Sequence, residues 1–396
     1  MKILLVNKFY YPRGGDCIYT IELEKLLKQK GHEVAVFSMQ HPENLPSAYS
    51  QYFPSETIFS LSNTKGIVES FLRPFGTLEV KQKFTALLDT FHPDVVHLNN
   101  IHTQLSPLLA EMAHKRGVKV VWTLHDYKLL CPRYDCLQNG TQPCEQCFTD
   151  ITQVLRNKCM KNSLLASVIA YAEARKWSKE KLNVYTDVFI CPSRFMKDKM
   201  LQGGFEAAKL HTLCNFIDIE KTERDTYDKD QYYCFVGRLS HEKGVETLVR
   251  AASQLPYKLK IVGGGPLLDK LQALSKGKST IEFVGQQPWS EVKEIVSKAR
   301  FSVIPSEWYE NNPLSVIEAL CLGTPVLGAR TGGIPELIEE GKTGLLFEPK
   351  NSDDLKLKIQ EMFLLKIDYK VVAENSQLRF SSEQYYDALL KLYQVG

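Results

Sequence analysis

Short runs of β-branched and aliphatic residues alternate with longer amphipathic stretches along almost the whole chain. This alternation predicts parallel strands joined by crossover helices, the pattern of α/β folds. The predicted strands of the first half are 2–6, 33–37, 95–98, 118–124 and 188–192. Those of the second half are 232–236, 259–262, 281–284, 301–304, 325–327 and 345–347.

Helical periodicity fills the intervals between these strands. A helix predicted over 16–30 ends at Gly31, because glycine readily adopts the left-handed conformation that closes a helix. The strands on either side of it complete one βαβ unit. Further helices are predicted over 245–254, 314–322 and 382–393.

Two α/β sheets in tandem account for this pattern, which predicts two Rossmann-like, doubly wound domains facing each other across a cleft. Two glycines at 203–204 and the charged stretch 218–231 suit a linker between domains. We therefore predict an N-terminal domain over 1–218 and a C-terminal domain over 219–375. The last segment, 376–396, belongs to either domain, and one alternative is that its helix packs back on the N-terminal domain.

The composition, the net charge and the length of the apolar runs exclude several classes of protein. The 396 residues are 44% hydrophobic and 24% charged, which is ordinary for a globular protein. A net charge of +3 is too small for a nucleic-acid-binding protein that depends on phosphate contacts. No apolar run reaches the roughly 20 residues that span a bilayer, and the run in MKILLVN is too short for a signal peptide. We therefore expect a cytoplasmic protein.

Ligands of such sheets bind beyond the carboxyl ends of the strands, so the loops there hold the candidate residues. The loop 10–16 contains Gly14 and Gly15 before a helix, where backbone N–H groups could approach a phosphate or a sugar. A tight strand-to-helix turn is the alternative. Gly265 ends a Gly-Gly-Gly run in the second domain, but Leu268 stands where a dinucleotide fingerprint needs glycine, which argues against hydride transfer.

Two cations follow the first strand of the second domain. Arg238 and Lys243 lie in the segment Gly-Arg-Leu-Ser-His-Glu-Lys-Gly, between that strand and its helix. A planar guanidinium and a compact ammonium at one strand end suit an anion with several oxygens, such as a diphosphate. A solvated charge pair is the alternative for this segment alone.

A turn that ends in Pro313 begins a helix, and two glutamates flank it eight residues apart. Glu310 lies in the loop at the strand end, whereas Glu318 lies in the helix and could accept hydrogen bonds from two vicinal hydroxyls. The free N–H groups of Leu314 and Ser315 would face an anion. The spacing alone means little, since acidic residues near a helix start are favoured by the macrodipole.

Together these segments resemble retaining glycosyltransferases of family 4, which have the GT-B fold. The similarity rests on the Arg-Lys segment, the two glutamates, the Gly-Gly loop after the first strand and Gly-Gly-Ile-Pro-Glu-Leu-Ile at 332–338. The four segments occur in the family's order and spacing. The resemblance implies a nucleotide-sugar donor bound mainly by the second domain, an acceptor bound mainly by the first, and no catalytic metal.

The resemblance also implies roles for single residues. Arg238 and Lys243 would hold the donor diphosphate, Glu318 the ribose hydroxyls, and Glu310 the transferred sugar near the reacting centre. Residues 312–313 are Asn-Pro where many family members have Phe-Gly, which leaves the identity of the sugar open. The donor-binding set also includes Gly14, Gly15, Gly265, Leu314 and Ser315.

A histidine that reaches the donor sugar in the family corresponds to His125, which follows a predicted strand of the first domain. We place it in the catalytic set with the first glutamate, although a lone histidine is more often structural. Asp126 would either orient the ring of His125 or bind the acceptor. The other histidines, including His92 and His97, are interpreted as packing or surface residues.

Five of the ten cysteines lie in the loop 131–159. Because we expect a reducing compartment, the alternatives are a metal site, reduced thiols or a redox pair rather than structural disulfides. Cys144 and Cys147 have the spacing of a zinc knuckle. The resemblance implies that Cys131 and Cys159 complete the ligand set, which would give a structural zinc.

Residues 154–182 combine seven Lys/Arg and two acidic residues with an apolar stripe. Such a segment either faces the core of the domain or lies on an anionic membrane. The second alternative would place the protein at the inner face of the membrane.

The sequence therefore predicts a retaining glycosyltransferase that moves a sugar from a nucleotide diphosphate donor to a hydroxyl of a glycan or lipid-linked acceptor, in cell-surface polysaccharide synthesis. The expected mechanism is a front-face displacement in which the leaving diphosphate takes the acceptor proton. No cofactor for catalysis and no nucleic-acid partner are expected. The alternatives are a sugar-nucleotide epimerase of the same build and a nucleotide-sugar-binding protein without turnover.

Overall fold

The computed structural model describes residues 1–56, 71–224 and 226–394, and these form two compact units. The predicted boundary lay after residue 218, whereas the contacts of the chain change between Cys214 and Asn215. Unit 1 comprises residues 1–139, 144–214 and the C-terminal residues from 385 onward, and unit 2 comprises residues 140–143 and 215–384.

Unit 1 is built on a parallel sheet with six strands among the described residues, in the order β2-β1-β3-β4-β7-β8. The register places Ile3 beside Val34 on one side and beside Val95 on the other. The last strand was not predicted, because only one of its three side chains is buried. In chain order, the strands before residue 215 are β1 (Lys2–Val6), β2 (Glu33–Phe37), β3 (Val95–Leu98), β4 (Lys119–Thr123), β5 (Leu137–Gln138), β6 (Gln142–Pro143), β7 (Val188–Cys191) and β8 (Leu210–Thr212). The short strands β5 and β6 lie outside the six-stranded sheet.

Unit 2 contains a second parallel sheet, whose described strands have the order β11-β10-β9-β12-β13-β14. The prediction of two α/β sheets in tandem is confirmed. These strands are β9 (Tyr232–Val236), β10 (Lys258–Val262), β11 (Ile281–Gly285), β12 (Ser302–Ile304), β13 (Val326–Ala329) and β14 (Gly344–Phe347).

Helices cover the strands of both units. In unit 1 they are Gly15–Gln29, Leu78–Phe91, Leu108–His114, Gln153–Arg156, Leu164–Lys176, Lys179–Tyr185 and Arg194–Gln202. In unit 2 they are Val245–Ala252, Leu268–Leu274, Trp289–Lys298, Leu314–Cys321, Ile334–Leu337, Ser352–Leu364 and Tyr369–Arg379. The last helix is Ser382–Gln394. Within the described ranges, none of these helices is long and apolar enough to cross a membrane.

Each sheet has one strand from which the chain winds in both directions. In unit 1, β1 lies between β2 and β3, and in unit 2, β9 lies between β10 and β12. Doubly wound sheets bind ligands beyond the carboxyl ends of the strands at this point. The two loops singled out from the sequence, 10–16 and 237–244, leave β1 and β9 there.

Large apolar side chains fill the core on the faces of each sheet. In unit 1, the rings of Trp122 and Phe189 stack with their centroids 6.3 Å apart. In unit 2, Tyr233 stacks on Phe301 at 5.1 Å. Strands buried on both faces are continuous apolar runs, which explains why the sequence located them to within one or two residues.

The C-terminal helix belongs to unit 1 from Tyr385 onward. The hydroxyl of Tyr393 lies 2.6 Å from Nδ1 of His97, and the hydroxyl of Tyr385 is hydrogen-bonded to that of Tyr19. Both bonds are buried, so these tyrosines fasten the end of the chain to the interior of unit 1.

The apolar stripe of 154–182 does not face the core along its whole length. Leu164, Leu165 and Val168 are exposed on the helix Leu164–Lys176, whereas Ala170 of the same helix is buried.

Candidate active site

The first part of the candidate site lies where β9 and β10 end in two glycine-containing loops that contact each other. The N–H of Leu239 donates to the carbonyl of Gly264, and the N–H of Leu267 donates to the carbonyl of Leu239, both at 3.0 Å. A Cβ on Gly265 would lie 2.5 Å from the carbonyl oxygen of Leu239, so this close approach needs glycine. The two loops are thereby held at the carboxyl edge of the sheet.

Arg238 is exposed in the first of these loops, and no side chain of the described residues pairs with its guanidinium. The loop closes at Gly244, which has a left-handed φ of 65°. A Cβ there would lie 1.8 Å from the carbonyl oxygen of Pro305, just after β12. This contact brings Lys243 to the loop that follows β12.

Lys243 and Glu310 form an ion pair with 2.6 Å between Nζ and Oε1. Ser306 donates a second hydrogen bond to the same carboxylate oxygen at 2.7 Å. Burial alone would raise the pKa of Glu310, but the Lys243 ammonium and the hydrogen bonds outweigh it and hold the pKa below its ordinary value. Glu310 is therefore a buried, ionised carboxylate.

A glycine turn also holds the backbone of Glu310. The N–H of Gly333 donates to the carbonyl of Glu310 at 2.7 Å, and a Cβ on Gly332 would lie 2.1 Å from that oxygen. Sequence reasoning did not assign this role to the Gly-Gly-Ile-Pro-Glu-Leu-Ile segment, nor any role to Ser306. The segment itself was the available signal, since paired glycines before a short helix often mark a close backbone approach.

The helix Leu314–Cys321 begins beside this carboxylate without a side-chain cap. None of the described residues accepts a hydrogen bond from the N–H groups of Leu314 or Ser315. The carboxyl group of Glu318 has no hydrogen-bond partner among the described residues, and burial raises its pKa to about 7, with Lys221 opposing. Unit 2 therefore has cations, free N–H groups and two carboxyl groups at one sheet edge. The pKa values of these carboxyl groups are shifted in opposite directions.

In unit 1, Gly14 is the N-cap of the helix Gly15–Gln29, at the end of the loop that follows β1. Its φ of −161° is ordinary extended backbone, so the turn does not require glycine for its conformation. Asp16 already places a negative charge in the first turn of this helix. The glycines stand where they were predicted, and their contact with the donor stays a prediction.

His125 follows β4 and is half-buried. Its Nε2 lies 2.9 Å from Oδ1 of Asn99, and its ring packs against the ring of Tyr19 with centroids 4.9 Å apart. Burial lowers its pKa to about 4, with Asp16 opposing and Lys8 adding to the effect. The ring is therefore neutral, and with the Asn99 oxygen as acceptor its proton is on Nε2, which leaves Nδ1 as an acceptor.

Asp126 does not supply the hydrogen bond that orients His125. Its Oδ1 accepts a hydrogen bond from the N–H of Lys128 at 2.9 Å, and burial raises its pKa. The ring is oriented by Asn99, which sequence reasoning missed, because Asn99 follows a different strand. Its polar side chain directly after the buried run of β3 was the only signal.

Each of the five cysteines in 131–159 is close enough to influence at least one of the others. Burial raises the pKa of Cys147 to about 12, with smaller contributions from Cys131, Cys159 and Cys144. A hydrogen bond from Cys136, the cysteine left out of the predicted set, lowers the pKa of Cys131. Within the described part of the chain, no three His, Cys, Asp or Glu side chains are arranged to hold a metal ion. The zinc site thus stays a prediction.

Comparison with known proteins identifies the family. The sequence model described as Glycosyltransferase Family 4 matches residues 13–221, and that described as Glycosyl transferases group 1 matches residues 216–379. The chain belongs to glycosyltransferase family 4. It is a glycosyltransferase, as the sequence predicted.

Individual relatives agree with this assignment. An uncharacterized glycosyltransferase, MJ1607 of Methanocaldococcus jannaschii, is 33% identical over 90% of this chain and 87% of its own. The O-antigen biosynthesis glycosyltransferase WbnH of Escherichia coli is 32% identical over 52% of this chain and 60% of its own. Anabaena HepE, solved in complex with UDP, has a TM-score of 0.69 at 18% identity over 99% of both chains. The predicted GT-B fold is confirmed by this structural likeness.

Proposed function

We propose that this glycosyltransferase transfers a sugar, with retention of configuration, from a nucleotide diphosphate donor to a hydroxyl of a glycan or lipid-linked acceptor. The observation that carries the donor part is the cluster at the carboxyl edge of unit 2. There an unpaired guanidinium at Arg238, the Lys243–Glu310 ion pair and the free N–H groups of Leu314 and Ser315 follow β9 and β12. These groups match a diphosphate next to a sugar.

Lys243 can serve the diphosphate without leaving Glu310, because an ammonium has three donors and the carboxylate takes one. The carboxylate would stabilise positive charge that develops at the anomeric carbon. Glu318, unpartnered in the helix, would accept hydrogen bonds from the ribose hydroxyls. His125 would contact the donor sugar from unit 1 through its free Nδ1.

In the proposed step, the acceptor oxygen forms a bond to the anomeric carbon on the face from which the diphosphate oxygen departs. The bond between that carbon and the diphosphate breaks, and the acceptor proton moves to the diphosphate oxygen. Arg238, Lys243 and the helix N–H groups would neutralise the charge that grows on the leaving group. No metal ion is needed for this neutralisation.

The names of related proteins support the choice of ligands. HepE was solved with UDP, and a further HepE complex, with a TM-score of 0.66, contains UDP-glucose. WbnH is named for O-antigen biosynthesis. We therefore favour a uridine diphosphate sugar as donor and a surface polysaccharide intermediate as acceptor. The exposed apolar residues of Leu164–Lys176, beside basic residues, support contact with the inner face of a membrane.

Calorimetric titration with UDP, GDP and ADP tests the donor class. UDP should bind most tightly, and Arg238→Ala should weaken UDP about tenfold or more while leaving uridine binding unchanged, because a hydrogen bond to a charged group contributes about 1.5–3 kcal/mol. Equal loss of affinity for uridine would remove the phosphate assignment.

Incubation with UDP-sugars and simple glycoside acceptors tests the reaction. A new glycoside with the donor's anomeric configuration, seen by NMR, would support retention, whereas the opposite configuration would refute it. Formation of an epimeric nucleotide sugar would instead identify an epimerase. Binding of donors without hydrolysis or transfer to any acceptor would identify a protein without turnover.

A further inference from the structure

Unit 1 contains a cavity of about 210 Å³ beyond the carboxyl ends of β3 and β4. Its walls come from the segments after these two strands, from the cysteine-rich loop and from the helix Leu164–Lys176. Phe148 and Trp177 contribute apolar surface, and the indole N–H of Trp177 is already satisfied by the carbonyl of Pro74 at 2.8 Å. The glycosyl-transfer groups described above do not line this cavity.

His102 lines the cavity with an unsatisfied ring. It is 7% exposed and stacks on Trp122 with ring centroids 5.4 Å apart. Neither ring nitrogen has a hydrogen-bond partner among the described residues, and neither is among the fully enclosed polar atoms, so both are accessible to a ligand. Burial holds the pKa of His102 well below its ordinary value, with Lys128 and Lys8 adding to the effect, so the ring is neutral. A neutral imidazole offers one donor and one acceptor.

Glu173 is the second unsatisfied group of the cavity. It is 5% exposed, and its Oε2 lies 2.9 Å from Nζ of Lys128. The same Nζ donates to the carbonyl of Pro132 at 2.7 Å. Oε1 of Glu173 has no partner among the described residues, so one carboxylate oxygen remains an acceptor.

The two groups that are free to bind a ligand carry no positive charge. Lys128 is neutralised by Glu173, and the imidazole of His102 is uncharged. Arg175 and Lys179 lie near Glu180, so the whole lining has one more positive than negative charge, and Nζ of Lys179 already donates to the carbonyl of Gly203 at 3.1 Å. A neutral imidazole and a carboxylate oxygen cannot neutralise an anion, and they suit a neutral ligand with several hydroxyls and an apolar face.

We propose that this cavity binds one uncharged sugar unit of the acceptor, with its hydroxyls on His102 and Glu173 and its ring against the aromatic wall. The assignment as acceptor rests on the proposed function. Binding of a sugar to the cavity, however, does not depend on the donor or on turnover, so the two can be tested separately.

Saturation-transfer NMR on the full-length protein without donor tests the proposal, with the methyl glycosides of glucose, galactose and N-acetylglucosamine as probes. We expect transfer to at least one glycoside. His102→Phe keeps a ring against Trp122 but removes both nitrogens, and Ala174→Phe fills the cavity without removing a polar group. His102→Phe should weaken glycoside binding about tenfold, the scale of a lost buried hydrogen bond, and Ala174→Phe should weaken it at least as much because its ring takes the place of the sugar.

His114→Phe is the matched control, because His114 also contacts an aromatic ring in unit 1, that of Tyr185, but does not line the cavity. It should bind glycosides as the wild type does. UDP titration of each variant reports separately on the donor site. If His102→Phe does not fold, Ala174→Phe still decides the result.

Three results would overturn the proposal: no transfer to any of the glycosides, unchanged binding by the variants that fold, or displacement of the glycoside by inorganic phosphate. The last would identify an anion site. Failure to bind UDP with intact glycoside binding would refute the proposed function and leave the sugar site standing.

Discussion

At the scale of single residues, Arg238 and Lys243 were predicted to share one role, yet they have different surroundings. Arg238 is exposed and has no partner among the described residues. Lys243 compensates the buried charge of Glu310. The first side chain is therefore available only for a ligand, whereas the second also contributes to stability.

Replacing each cation by alanine should separate these contributions. Lys243→Ala should lower the free energy of unfolding of unit 2 by about 2–3 kcal/mol, because it leaves the carboxylate of Glu310 buried and unpaired. Arg238→Ala should change it by less than about 0.5 kcal/mol. Urea denaturation measures both, and equal stability of the two variants would contradict the structural role of Lys243.

Glu318 should make stability depend on pH. Its folded pKa is raised from 4.5 to about 7, so the folded protein binds the proton more tightly than the unfolded chain. The resulting stabilisation is complete below about pH 4.5 and is lost as the pH rises through about 7, which amounts to about 3 kcal/mol.

Denaturation of Glu318→Gln at a series of pH values checks this expectation. The variant should lack the loss of stability between pH 5 and pH 8, since its side chain has no proton to release. Glu291→Gln, at an exposed position of unit 2, should keep the wild-type profile. A wild-type profile in Glu318→Gln would show that another group is responsible.

At the scale of elements, the site depends on turns through which two backbones approach each other. Gly244 combines a positive φ with a contact that leaves no room for a Cβ, whereas Gly277 has a φ of 81° and no atom within 4 Å of a Cβ. Glycine is thus required at position 244 by both its backbone conformation and its lack of a side chain, but at position 277 by its backbone conformation alone.

Gly244→Ala should be much more damaging than Gly277→Ala. The first must move either its loop or Pro305, which displaces Lys243 and should abolish measurable UDP binding. The second should cost about 1 kcal/mol of backbone strain and leave UDP binding unchanged. Calorimetry on both variants tests this, and intact UDP affinity in Gly244→Ala would show that the turn tolerates the shift.

The cysteine-rich loop permits a test of the predicted zinc site. Protein purified without chelators should contain about one equivalent of zinc, and Cys144→Ser or Cys147→Ser should lose it and increase amide exchange across 131–159. Cys136→Ala should keep the metal, because this cysteine lies outside the predicted set. Elemental analysis that finds no soft metal would leave a loop of reduced thiols.

At the scale of the whole molecule, the apolar surface is uneven. Leu165 is 66% exposed on a helix with basic neighbours, whereas Leu364, equally apolar and 80% exposed, lies in unit 2. If the helix surface around Leu165 contacts a membrane, its apolar residues should enter the membrane interface and its basic residues should bind anionic headgroups.

Co-sedimentation with vesicles that contain phosphatidylglycerol tests this contact. Leu165→Glu should reduce binding to the vesicles about tenfold, since it removes an apolar side chain that would enter the membrane and adds a negative charge that the anionic lipid repels. Leu364→Glu should have no effect. Binding should also weaken with added salt. No binding by the wild type would exclude the membrane contact.

The sequence by itself determined the strands of the two six-stranded sheets except β8, and the loops that bear the candidate residues. Strands buried on both faces must be apolar throughout, and this requirement acts locally along the chain. The order of the motifs was sufficient to indicate the family and its fold.

Only the tertiary structure decided which side chains meet. Lys243 pairs with Glu310 across 67 residues, and Tyr393 reaches His97 across 296. The unsatisfied groups of His102 and Glu173 likewise reach one cavity from a strand end and from a distant helix. Such contacts depend on the order of strands in the sheet and on the positions to which the crossover helices return. The local pattern of polar and apolar residues specifies neither of these.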